Sequence, residues 1–111
     1  MRRIISSALF FALALALEGA GAGRVLTGVV TDEMCPTGDH SRMRMGPNDA
    51  ECARACAMEH GASYVLFDGK SAWTLSDQET SAKFAGKRVA VTGTPDDKAK
   101  TIRVNSIVSA K

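Results

Sequence analysis

The sequence predicts a mainly β domain with two short helices, one of them carried by an insert between the first and second strands. Three observations lead there. Short runs of alternating, β-branched character recur between residues 24 and 108, turn residues such as Asp68-Gly69 punctuate them, and capping boxes open at Asn48 and Ser76. The stretch from Met34 to His60 departs from this texture. It holds all three cysteines, both histidines and four of the five methionines.

Arg24 to Thr31 reads as the first strand, with Leu26 and Val30 on one face and Gly28 marking a bend or bulge. Residues 32–47 have no sustained period and carry Pro36, Gly38, Gly46 and Pro47, which predicts a loop. Asn48, with Glu51 three residues on, predicts the start of a helix over about Asp49 to His60 that stops at Gly61. Its covered faces are Ala53, Ala57 and the cysteine pair, with Arg54 and Glu59 outward. Ser63 to Asp68 and Ser71 to Leu75 form a hairpin about Asp68-Gly69. Ser76-Asp77-Gln78-Glu79 opens a second helix that ends at Gly86. Lys87 to Thr94 is a strand, Thr94-Pro95-Asp96-Asp97 a turn, and Thr101 to Val108 the last strand. Ile107 is out of phase with Ile102 and Val104, so a bulge is expected near Asn105 or Ser106.

At 111 residues the chain holds one domain. Arg2 and Arg3, the apolar run from Ile4 to Leu17 and the small residues through Ala22 have the layout of a secretory signal peptide over 1–22, leaving 23–111 as the domain and 32–61 as its insert. A periplasmic or secreted location follows, with membrane contact only through that transient segment. Setting aside Arg2, Arg3 and Glu18 from the 14 basic and 12 acidic residues leaves 12 against 11. So even a balance argues against a dedicated nucleic-acid partner. Three cysteines cannot all pair within one exported chain, so at least one thiol is free, metal-bound or shared with another molecule.

With the insert set aside, the element order is that of a five-stranded oligonucleotide/oligosaccharide-binding (OB) barrel with a helix between its third and fourth strands. Val25 to Thr31, Tyr64 to Gly69, Lys87 to Thr94 and Ile102 to Ile107 resemble the strands of small exported bacterial OB-fold proteins. The insert is similar to that of secreted bacterial domains with a Cys-x4-His and Cys-x3-Cys pattern. The resemblance implies an OB-like barrel over most of residues 23–111. It carries no activity with it, because this fold serves many purposes.

The chemistry therefore has to come from the insert. Cys52 and Cys56, four apart on a helix, have Cβ atoms roughly 5–6 Å apart. That is too far for an unstrained disulfide, which needs about 3.5–4.5 Å. Two thiolates at one tetrahedral ion, with metal–sulfur bonds of about 2.3 Å, suit the spacing better. Cys35 and His40 would complete a set of Cys35, His40, Cys52 and Cys56. His60, on the same helical stripe as the two cysteines, competes with His40, or instead favours the negative helix end. Zinc is the default for a closed thiolate site, whereas Met43 and Met45 as accessory ligands would favour copper(I). For Met58, inside the helix, adaptable core filler is the stronger reading; for Met43 and Met45, in a loop, it is the weaker one.

A disulfide from Cys35 to Cys52 or Cys56 is the alternative. It would close a loop of about 17 or 21 residues, worth roughly 3 kcal/mol, and leave one thiol over. Catalytic signals are thin: Cys-x-x-Cys, a Gly-rich phosphate loop and a credible Ser/His/Asp order are all missing. Most of Tyr64, Phe67, Trp73 and Phe84 have a claim to the core, which leaves few aromatics to stack on bases. The expectation is an exported, non-enzymatic OB-like domain binding zinc or copper(I). The alternative is a disulfide-stapled envelope module that binds another ligand without metal.

Overall fold

The computed structural model describes residues 23–111, so the expected signal peptide over 1–22 lies outside the described residues. Seven elements follow in order: β1 (Arg24–Asp32), α1 (Asp49–His60), β2 (Tyr64–Phe67), β3 (Ala72–Leu75), α2 (Gln78–Lys83), β4 (Arg88–Asp96) and β5 (Thr101–Ser109). The strands close into a ring in the order β1-β2-β3-β5-β4. All neighbours are antiparallel except β3 and β5, which run parallel through Thr74↔Thr101 and Leu75↔Ile102. Among the described residues no helix is long and apolar enough to cross a membrane.

Closure depends on β1 serving two neighbours. Arg24 to Val29 pairs with β4, and Val29 to Asp32 pairs with β2. Gly28 sits at the changeover. Its expected bulge is absent from the β1–β4 register; the residue is small for a different reason. A Cβ there would lie 2.2 Å from the Phe67 carbonyl oxygen, so a side chain would force β2 off β1. The bulge expected in β5 is present: Thr92 pairs with Ser106 and Gly93 with Val104, which skips Asn105 and returns Ile107 to the buried face.

Inside the ring lie Leu26, Val30, Leu66, Trp73, Leu75, Val89, Val91 and Ile102, with Tyr64 and Ile107 at its margins. Trp73 is tied at its edge as well, donating its indole N–H to Asp68 Oδ2 at 2.9 Å. Asp68 also accepts from Lys70 and Ser71 at 2.8 Å, so one carboxylate organises the β2–β3 turn while Gly69 takes φ +99°.

Two local expectations shift. The cap of α2 is Asp77, which accepts from Thr80 N; Ser76 instead accepts from Val104 N at 2.8 Å and ties β3 to β5. Pro95 does not open a turn. It pairs with Ile102 inside β4, and the chain reverses after Asp96, whose side chain accepts from Lys98 and Ala99. A proline is tolerated there because it stands one residue from the strand end.

Helix α1 is capped as its sequence dictates. Asn48 accepts from Glu51 N at 2.9 Å, and Gly61 closes the other end in the left-handed region at φ +67°. Cys52, Ala53 and Cys56 form its buried face. Gly86 admits it to the ring: a Cβ there would come within 2.9 Å of the Ala50 backbone. This contact seats the start of α1 against the lead-in to β4, with its cysteine face turned to the end of β1.

Candidate metal centre

The end of β1 is where the insert folds back. In a half-buried strand Thr31 and Asp32 could not both be covered, yet each is 1% exposed or less. The loop after β1 covers the outer face. Asp32 holds that loop: Oδ1 accepts from Met34 N at 2.9 Å and Cys35 N at 3.1 Å, while Thr31 Oγ1 donates to the Cys35 carbonyl at 2.9 Å. Gly38, at φ +84°, donates to the same carbonyl and turns the chain toward His40.

His40 closes the cluster. Its Nε2 stands 3.0 Å from Asp32 Oδ2, and both side chains are fully buried. Its Nδ1 is also buried and makes no hydrogen bond, although the exposed Asp49 places Oδ1 3.4 Å away. Donor atoms of Asp32, Cys35 and His40 lie within 4.8 Å of one another, so this buried group could hold a metal ion. Thr31, Asp32 and His40 make up three of the four buried polar residues described. Polar burial is costly without partners, and here it is concentrated at one point.

Two thiols share this environment. Burial first, then the Asp32 carboxylate, and after it Cys52 and Asp39, push the Cys35 thiol up. Burial, then the charges of Asp32 and Cys35, a hydrogen bond with Asp32 and lastly Cys52 push Cys56 from 9.0 up to about 11. Without a cation both remain neutral thiols at ordinary pH. A metal ion reverses this balance, because its own charge outweighs the carboxylate's.

Cys52 faces elsewhere. Its sulfur accepts from Gly46 N at 3.1 Å and Met45 N at 3.3 Å, donates to the Gly46 carbonyl at 3.2 Å, and has Arg44 Nη1 at 3.8 Å. Gly46 makes that wrap feasible, since a Cβ there would sit 2.8 Å from Glu51 Cβ.

Of the four ligands expected from sequence, Cys35 and His40 thus come together. Cys56 is buried on the covered face of α1 but is not one of the converging donors, and Cys52 is held by the 44–46 loop. His60 is exposed at the end of α1. Met43 and Met45 are 42% and 37% exposed, so they do not fill the core. None of the three cysteines is paired in a disulfide.

Asp32 is the residue that sequence reasoning missed. An aspartate at a strand end reads as the first residue of a loop. The available signal was its spacing, Asp-x-x-Cys-x4-His, which places a carboxylate one turn ahead of the thiol. Comparison of the chain with protein-family models, with curated proteins and with solved structures returned no match, so the centre is defined by its own geometry: a buried carboxylate, thiol and imidazole that could together hold a metal ion.

Proposed function

We propose that this chain is an exported, non-enzymatic, OB-like domain that binds a transition metal through Asp32, Cys35 and His40. The observation that carries the reading is the buried convergence of those three donors beside an imidazole nitrogen that lacks a partner. The ring order, with β3 parallel to β5 and a helix between β3 and β4, supports the OB-like part.

The residues fit an ion. Oxygen and nitrogen ligands bound at about 2.0–2.1 Å in a tetrahedron stand roughly 3.3 Å apart, close to the 3.0 Å between Asp32 and His40. With Nε2 on the metal, Nδ1–H would be free to donate to Asp49, the kind of outer carboxylate that steadies a ligating histidine. A mixed oxygen, nitrogen and sulfur set favours zinc over copper(I), which prefers sulfur alone. The ion's role is then structural, fastening the end of β1 to the insert. Burial of the thiol also favours an ion over an organic substrate, which supports the non-enzymatic reading.

The competing reading is a metal-free, disulfide-stapled module. It draws on the burial of Cys35, Cys52 and Cys56 within one insert. Elemental analysis and thiol titration of protein purified from the exported fraction without chelator separate the two. About one zinc per chain is expected, lost in Asp32→Asn and in Cys35→Ser. Metal-free protein with a single titratable thiol establishes the staple instead. Three free thiols with no uptake of Co(II) overturn both.

A further inference from the structure

All four methionines of the described chain are exposed, and all belong to the insert: Met34 at 37%, Met43 at 42%, Met45 at 37% and Met58 at 80%. Among the described residues the only other large apolar side chains so exposed are Val25 and Val108 on the ring. Thus every large exposed apolar group of the insert is a thioether. Two of them, Met45 and Met58, line one surface cavity of about 270 Å³ between the 45–47 loop and the outward face of α1. Glu51 and Glu59 stand at the same cavity and, against the single Arg54, leave it with one excess negative charge. Arg54, also there, is turned toward Glu51 at 3.7 Å and donates to the Ala82 carbonyl at 3.3 Å.

We propose that this cavity is a second, outer metal site, in which the thioethers of Met45 and Met58 capture a monovalent thiophilic cation of the Cu(I) or Ag(I) class. Thioethers are neutral, soft donors that bind such ions and ignore zinc, calcium and magnesium. Glu51 and Glu59 outnumber Arg54 at the cavity by one charge and add long-range attraction for a cation without being soft ligands themselves. The loop is built to present Met45. Met45 N and Gly46 N are clamped on the buried Cys52 sulfur, which fixes the backbone from which that side chain projects. Met58 is held by a rigid helix, two residues beyond the buried Cys56. The site shares no residue with Asp32, Cys35 and His40, and it stands or falls separately from them.

The test uses the protein expressed in full and isolated as the cell leaves it, with isotope-labelled methionine methyl groups and Ag(I) as a redox-inert probe. Titration is expected to shift the Met45 and Met58 methyl resonances together, at low equivalents, ahead of Met34 and Met43. The double substitution Met45→Leu with Met58→Leu preserves volume at exposed positions. It is expected to weaken Ag(I) binding by about tenfold or more while Co(II) uptake at the inner cluster stays intact. Uniform shifts across all four methyls, or Ag(I) captured by the buried thiols with Met45 and Met58 unmoved, overturn the proposal. So does undiminished Ag(I) affinity in the double variant. Undiminished Co(II) uptake in Asp32→Asn, with the methyl shifts retained, would count against the inner centre alone.

Discussion

Around the ring nearly every inward side chain is aliphatic or aromatic, from Leu26 and Val30 on β1 to Ile102 and Ile107 on β5. The insert contributes only Ala53 to that cluster, with Ala57 packed alongside. What the insert buries in its own right is Cys35, His40, Cys52 and Cys56. One region is thus held by non-directional apolar burial and by strand ladders closed on themselves. The other is held by hydrogen bonds to Asp32, by sulfur wrapped in backbone, and by a capped helix. Apolar packing tolerates small changes of geometry, whereas a directional polar contact fails when one partner moves or changes protonation. The ring should therefore be the stable platform and the insert its conditional part.

Four experiments can break or sharpen that contrast. Leu66→Ala, at a fully buried ring position, should cost about 2–5 kcal/mol in denaturant melts, equally with and without chelator. If chelation changes that loss, the ring is not independent of the insert. Asp32→Asn keeps the shape but removes the carboxylate that His40 and two backbone amides face. It should cost about 1.5–3 kcal/mol and accelerate amide exchange over residues 35–60 while β2 to β5 stay protected. Uniform acceleration would contradict the division into two regions.

Gly46→Ala pushes a methyl group onto Glu51 and should cost about 1–3 kcal/mol. Its sharper signature is faster alkylation of Cys52, read by mass spectrometry, because the loop must lift off the sulfur. An unchanged rate would mean that the clamp is not what hides the thiol.

The smallest effect belongs to the ring's rim. Asp68→Ala removes bonds to Ser71, Lys70 and Trp73 and should cost about 1–2 kcal/mol. The Ser71 amide foremost, with the Trp73 indole, holds the Asp68 carboxyl below its ordinary 3.8. A depressed folded value means its contribution is present above the unfolded pKa and fades as pH falls through the folded one. The gap between wild type and Asp68→Asn should therefore narrow below about pH 4. A gap independent of pH would assign the turn to shape and not charge.

Much of the ring was legible in advance. Period-two runs, the Asp-Gly turn, the Asn48 box and the phase slip before Ile107 are local signals, and each reports a backbone choice made within a few residues. The shift of the α2 cap from Ser76 to Asp77 shows where such signals blur. Both residues can cap, and Ser76 was drawn off by Val104 across the ring. The insert was less legible. Helical spacing placed Cys52 and Cys56 on one covered face, but it could not show that the Cys52 sulfur turns to the Gly46 backbone.

Sequence alone determined the order of the elements, the caps of α1, the bulge in β5 and the concentration of sulfur and imidazole in one stretch. These depend on neighbours along the chain. Tertiary structure decided that β3 meets β5 in parallel, that Gly28 and Gly86 are small because other strands and helices pass over them, and that Asp32 is buried against His40. The reason is distance along the chain. A carboxylate at a strand end is ordinarily solvated, and only the return of a loop from eight residues away takes its water and leaves it facing an imidazole and a thiol.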